Sequence, residues 1–406
     1  MQAPSLLKTE QIACRQDVRE VIGAERPCAQ PFRNISVRRQ TIQAALVHAP
    51  TGQSGAHSAH TGTVWYMGAM SRKGRALDAS LAVLNGVIGD FLVKTGNGLA
   101  TRMQLFARVG AGEPLVLAGP ALARALPAAT GRIVVLVHGL GSTEQIFEMA
   151  DGSDYGTRLS RDLGYTPLYL RYNTGRSIGE NGAALSETLS SLTEGYPVPI
   201  DEIVLLGHSM GGLVVRSACH VARLAGRPWL ARVKRAIYLG TPLLGAPLER
   251  LGRVVTSALR MIDDPYTRLV ADIANLRSEG LKDLGNADLR PEDRARDRGW
   301  SIGLEDPRHP VPLLPEIEHH LVAGAVGDHP LLVALFGDSI VPVKSATGGL
   351  DGQALPPGHV RRVARTSHLA IARSPAVYEY VRAWCAGEDA PAAQAEAEAE
   401  AEEERS

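Results

Sequence analysis

Ser209 sits at the centre of Gly207-His208-Ser209-Met210-Gly211, directly after the apolar run Ile203-Val204-Leu205-Leu206. A strand that runs into Gly-x-Ser-x-Gly and then into a helix places its serine on a very tight turn. The flanking positions are glycine because a side chain there would collide with the neighbouring strand or helix. The hydroxyl is thereby presented above a sheet, at the N-terminus of the following helix, here the apolar run from Gly212 to Ala222. A serine hydroxyl is a poor nucleophile at neutral pH, so a neutral imidazole must take its proton as the bond to a carbonyl carbon forms. Among twelve histidines, His368 stands in the turn Thr366-Ser367-His368-Leu369, between a strand-like run at 359–364 and a helix opening near Ser374-Pro375. It is the candidate base. A carboxylate must then orient that imidazole and stabilise its charged form. Asp338, in Gly337-Asp338-Ser339-Ile340-Val341-Pro342-Val343, is the candidate acid. Asp328 lies nearer the end of the preceding strand-like run, 320–326, and is the runner-up, since either point of one loop could reach the histidine.

Attack on an ester carbonyl leaves negative charge on oxygen, and two aimed backbone N–H groups can lower the barrier by several kcal/mol. Arg132-Ile133-Val134-Val135-Leu136-Val137 reads as a buried parallel strand and ends in His138-Gly139-Leu140-Gly141-Ser142-Thr143. The expected donors are the amides of Leu140 and of Met210. His138 reads as a brace for the loop, and Gly139 lets the backbone come close to a substrate. Two further strands, 166–171 and 236–239, run into Tyr172-Asn173-Thr174-Gly175 and Gly240-Thr241-Pro242. The substrate-pocket candidates are His138, Gly139, His208, Thr241 and Pro242, although Gly- and Pro-rich strand-ending turns would read the same way.

Four segments together carry a resemblance. They are Val137-His138-Gly139-Leu140-Gly141, Gly207-His208-Ser209-Met210-Gly211-Gly212, Gly240-Thr241-Pro242-Leu243-Leu244-Gly245-Ala246-Pro247 and Gly337-Asp338-Ser339-Ile340-Val341-Pro342, with His368 completing the set. The chain resembles an α/β-hydrolase of the bacterial lipase and esterase type, most closely the group with a GPI inositol-deacylase-like hydrolase domain, over residues 130 to 386. The resemblance implies an α/β fold, with a mostly parallel central sheet flanked by helices. It also implies a triad of Ser209, Asp338 and His368, in the chain order serine, acid, histidine. It does not carry a GPI substrate with it, because the preference for Arg over Lys and the wealth of Ala and Gly look like a GC-rich bacterial gene.

The expected organisation is an irregular, polar extension at 1–70, disordered or lying upstream of a true start at Met67 or Met70. A helical segment at 71–126 follows, packed on the core by a stripe of Leu77, Leu81, Leu84, Val87, Ile88, Phe91 and Leu92. The hydrolase domain spans 127–387, with an insertion at 248–315 that reads either as a lid or as surface helices joined by a loop. An acidic Ala-Glu tail, 388–406, has no apolar face to bury. The 406 residues carry a formal net charge of zero and no Lys/Arg-rich run, which argues against nucleic acid as a partner. No cofactor or metal is needed by the chemistry, and no Cys/His spacing suits zinc. No stretch reads as long and apolar enough to span a bilayer, and no secretory leader is evident. Cys219 and Cys385 read as free thiols, with a Cys14–Cys28 disulfide left open, so the expected location is the cytoplasm. The expected substrate is a small-molecule or lipid ester, and the oligomeric state is open. Three functions stand side by side: hydrolysis of a carboxylic ester, acyl transfer through the same acyl-enzyme, and non-catalytic binding on the same fold.

Overall fold

The structure, a computed structural model, describes residues 72–110, 112–243, 311–324, 355–356, 358–363, 366 and 368–390. All of these belong to one compact unit, Tyr66–Ser406. The expected lid at 248–315, apart from 311–315, lies outside the described residues, as do the N-terminal extension, both candidate acids, Cys14, Cys28 and the tail beyond 390.

Among the described residues, seven strands form one sheet: β1 (Gln104–Phe106), β2 (Arg132–Val137), β3 (Thr166–Arg171), β4 (Glu202–His208), β5 (Val233–Leu239), β6 (Glu318–Gly324) and β7 (Val360–Val363). Their order is β1-β3-β2-β4-β5-β6-β7. All pairings are parallel except that of β1 with β3, where Leu105 faces Leu170. The central strands β2 and β4 are near-continuous apolar runs, as strands covered by helices on both faces are, whereas β5, β6 and β7 carry charged or polar residues in their first halves or middles. Side chains alternate between the two layers with period two. Ile133, Val135 and Val137 point into one core with Leu185, Leu213 and Val214. Val134 and Leu136 point into the other with Phe147, Tyr155, Tyr378 and Trp384.

The helices are α1 (Arg72–Lys94), α2 (Gly119–Ala125), α3 (Tyr155–Leu163), α4 (Ile178–Gly195), α5 (Met210–Leu224), α6 (His368–Ile371) and α7 (Pro375–Ala386). Local chemistry sets their ends. Ser374 caps α7 by accepting from the Val377 amide, Pro375 fills a first-turn position whose N–H would be unused, and Gly387 ends the helix at φ 74°. The carbonyl of Val311, with that of Leu243 at 3.4 Å, accepts from the buried Arg216 of α5.

Two features depart from expectation. The segment 71–126 is not wholly helical, because Gln104–Phe106 leaves the helical layer and closes the sheet edge. Within α1, Gly74–Lys94 (21 residues) contains an 18-residue window of mean hydropathy 1.6, long and apolar enough by length and composition to cross a membrane, contrary to the expectation that no stretch is. The expected stripe is also split. Val87 and Leu92 are buried, but so are Ala82, Asn85, Gly86 and Gly89, while Leu77 and Phe91 face outward. The inner face is built on small residues that allow close approach.

Asp154 gathers much of the α3 end of the molecule. Its carboxylate accepts from the amides of Gly156 (2.8 Å) and Thr157 (3.0 Å), and the Tyr169 hydroxyl donates to it. Asp154→Ala removes the cap and leaves a buried phenol without its acceptor. It is expected to lower stability by about 1–3 kcal/mol, read as a lower urea midpoint at unchanged slope.

Candidate active site

Ser209 has φ 54° and ψ −126°, the only non-glycine with positive φ among the described residues. It is held there by crowding on every side. A Cβ on Gly207 would stand 2.5 Å from the Gly212 backbone, one on Gly211 would run into the Val137 carbonyl, and one on Gly139 would stand 2.9 Å from the Ser209 Cβ. The Ser209 amide donates to Leu239 O at 2.9 Å, tying the turn to the end of β5. The register places Val137 of β2 opposite Gly207 of β4, so the loop after β2 and the serine turn leave the sheet side by side.

The loop after β2 is braced from behind. His138 is fully buried and stacks on Tyr172, ring centroids 4.6 Å apart, and the Tyr172 hydroxyl donates to His138 O at 2.8 Å. The Gly141 amide donates to Thr174 Oγ1 (3.1 Å), and Ser142 Oγ donates to Gly139 O (2.9 Å). Leu140 stands between these anchors. Met210 opens α5, so its amide is among those that the helix leaves without an intrahelical carbonyl, where the helix dipole favours negative charge. The two amides expected to hold an oxyanion therefore lie on either side of the Gly139–Ser209 contact. Thr241 is fully buried against Gly212, and Pro242 is partly buried beside it.

His368 opens α6. Its carbonyl accepts from His208 Nε2 at 2.9 Å, and the two rings lie 4.8 Å apart. Its Nδ1 would be 3.0 Å from a Cβ on Gly240, whose φ of 57° also suits glycine. The candidate base thus lies against the residue preceding the serine and at the strand end that anchors the serine's amide. Behind it, the Tyr155 hydroxyl donates to Ile371 O (2.6 Å) and Ser374 O (2.9 Å), fixing the junction of α6 and α7. Desolvation, with the neighbouring His208, lowers the His368 pKa below the ordinary histidine value and so favours the neutral imidazole that a general base must start from. The geometry gathers Ser209, His368, Gly139, Leu140, Met210, His208 and Thr241 at one end of the sheet. Asp338 and Asp328 lie outside the described residues.

Several contributors to this arrangement carry no signal in motif or spacing. Glu144, fully buried in the turn after the β2 loop, takes Arg171 on both carboxylate oxygens, the Nε contact being 3.0 Å, and accepts from the Gly110 amide at 3.2 Å. Arg171 also pairs with Asp78 of α1 at 3.2 Å. From α1, Gly86 packs on Gly141 and Thr174, and Gly89 lies against Asn173, whose Nδ2 donates to Gly89 O at 3.0 Å. The glycine pair Gly86-x-x-Gly89 inside an apolar helix is the one sequence feature that could have pointed to this contact.

Residues 128–275 match the family model described as the PGAP1-like alpha/beta domain. No curated protein sequence matches the chain. Solved structures similar to it include the mature form of the Bacillus licheniformis lipase BlEst2, 19% identical over 61% of this chain and 88% of that one, with a TM-score of 0.36. Another is the RedJ thioesterase of the prodiginine biosynthetic pathway in Streptomyces coelicolor, 17% identical over 64% and 91%, TM-score 0.40. A third is MGS-MChE2, an alpha/beta hydrolase from the metagenome of lagoon sediments at Mar Chica, Morocco, 15% identical over 64% and 92%, TM-score 0.36.

The buried histidines fix an acid limit to stability. Burial lowers His138, His208 and His319 to about 4 and His320 to about 3. In the unfolded chain these rings take protons near pH 6.5. Between those values the unfolded state binds more protons, so this stabilisation is complete above the unfolded pKa and is lost as pH falls towards the folded values. The thermal midpoint is expected to be nearly flat from pH 8 to 7 and to fall steadily from about pH 6.5 to 4. A midpoint constant across that window would contradict the neutral burial of these rings.

Proposed function

We propose that this chain, which belongs to the α/β-hydrolase superfamily, cleaves carboxylic esters through an acyl-enzyme on Ser209. The observation that carries the reading is Ser209 held at positive φ between Gly139 and the start of α5, with His368 packed on the residue before it. His368 takes the hydroxyl proton as the Ser209 oxygen bonds to the ester carbon, and the amides of Leu140 and Met210 receive the oxyanion. The imidazolium then protonates the leaving alcohol. Water, deprotonated by the same imidazole, attacks the acyl-enzyme and releases the acid. Asp338 is the reading's acid, with Asp328 the alternative in the same stretch of sequence after β6.

An apolar or lipid-like ester suits the Leu-, Ala- and Gly-rich surroundings of the motifs. Acyl transfer to another alcohol or amine uses the same intermediate and differs only in how water is excluded. A purely binding role would leave the strained serine turn without a use. The cytoplasm is the proposed location. There, Cys219 and Cys385 stay reduced, both buried and pushed up to about 12 by that burial.

Hydrolysis of p-nitrophenyl esters from acetate to palmitate, with labelling by a fluorophosphonate probe, tests the reading. Ser209→Ala is expected to abolish turnover and labelling. Loss of the acid is expected to cost about 10⁴-fold in kcat, and comparing Asp338→Asn with Asp328→Asn identifies which residue it is. Gly139→Ala, which drives a methyl into Ser209, is expected to lower kcat/KM by about 100-fold or more. Turnover that survives Ser209→Ala would sink the proposal.

A further inference from the structure

The proposed reaction needs His368 within hydrogen-bond reach of Ser209 as a proton passes, and a misplacement of about 1 Å can cost about 100-fold in rate. His368 opens α6, a helix of four residues, too short to hold its own position. The carbonyls of this segment are gripped at two places. At the far end, the Tyr155 hydroxyl of α3 donates to Ile371 O at 2.6 Å and to Ser374 O at 2.9 Å. At the near end, His208 Nε2 lies 2.9 Å from His368 O. A carbonyl can only accept, so Nε2 carries the proton and donates, and Nδ1 is left as the acceptor nitrogen.

The second grip differs from the first in its origin. His208 is the last residue of β4 and is joined to Ser209 by a peptide bond. The loop after β2 closes on the same ring, since a Cβ built on Gly139 would stand 3.4 Å from His208 Nδ1 and 2.9 Å from the Ser209 Cβ. From the position next to the nucleophile, one side chain therefore reaches the backbone of the base on one side and the loop that carries Leu140 on the other.

Stability alone would not choose an imidazole for this place. The His208 side chain is buried, and its Nδ1 has no hydrogen-bond partner among the described residues. Burying an acceptor without a donor costs free energy that an apolar side chain of similar size would not. What the imidazole supplies, and an apolar group does not, is the Nε2 donor on the carbonyl of the base.

We infer that His208 is a positioning residue, which ties the His368 backbone to the turn of Ser209 and so fixes the gap that the proton crosses. The proton transfer rests on the proposed ester hydrolysis, whereas the tie does not.

Three variants of the full chain test this, each assayed on p-nitrophenyl acetate and by its melting curve. His208→Gln keeps an N–H at about the reach of Nε2, His208→Asn carries the same amide on a shorter stem, and His208→Leu removes the donor. In the Leu and Asn variants kcat is expected to fall about 10- to 100-fold with KM near that of wild type, and the Gln variant is expected to recover most of the lost rate. A merely structural role would lower the melting midpoint and leave kcat. The contrast of Gln with Asn decides the matter even where the Leu variant fails to fold. A Leu variant with wild-type kcat, a Gln variant no faster than Asn, or a loss confined to KM overturns the inference. The imidazole signals of His368 in NMR give a readout that needs no turnover. They are expected to be sharp in wild type and in the Gln variant, and broadened by microsecond-to-millisecond exchange in the Leu and Asn variants. A wild type without Ser209-dependent turnover removes the hydrolase reading, and the line widths then judge the tie alone. Equal widths in wild type and every variant overturn it.

Discussion

The structure turns on a steric constraint: three stretches of backbone meet around one serine with no room for a β-carbon on any of the glycines between them. Gly207 lies against Gly212, Gly211 against the Val137 carbonyl and Gly139 against Ser209 itself. A positive φ at a non-glycine residue costs on the order of 1–3 kcal/mol, and it persists only where the surroundings over-determine it. Here the surroundings are β2 and β4, parallel neighbours in the middle of the sheet and buried on both faces. Any slip in their register would part the β2 loop from the serine turn. The apolar strands thus do more than stabilise the fold, because they fix which two loops touch.

Charge fixes the same strands from their ends. At the start of β2 and β4, Glu202 takes Arg132 at 2.5 Å, Arg235 at 3.2 Å and the Tyr165 hydroxyl at 2.6 Å, binding three neighbouring strands to one carboxylate. At the other end Glu144, Arg171 and Asp78 join the β2 loop, β3 and α1. Such a partly buried cluster is weak evidence for stability, since desolvation offsets much of the attraction. Removing one member, however, leaves an uncompensated charge. Its effect is on geometry: the loop carrying Leu140 is held to a strand and to a helix at once.

The strands were legible because they obey one strong rule. Buried parallel strands carry continuous apolar runs, and β2 and β4 enclose theirs, Ile133–Val137 and Ile203–Leu206. The serine turn was legible because its glycines are a steric necessity. β1 was not, since three residues on an antiparallel edge are too few to show periodicity. The burial of α1 was misjudged for a different reason. The helix is apolar nearly all round, so its hydrophobic stripe does not identify the inner face. Gly86, Gly89 and Asn85 do so, by close approach and by hydrogen bonds that hydropathy does not register. The acid could be narrowed in sequence only to a loop, and both its candidates fall outside the described residues.

The segment that resembles a known family begins at residue 128, after both α1 and β1. Taken alone, that segment would start at the middle of the sheet and leave the outer edge of β3 bare, with its unpaired amides and carbonyls open to any passing strand. In the whole chain Gln104–Phe106 occupies that edge, only three residues long and with Arg171 lying over the Phe106 ring at 4.8 Å. The stretch preceding the matched segment therefore covers a sheet edge that residues 128–275 alone would leave open.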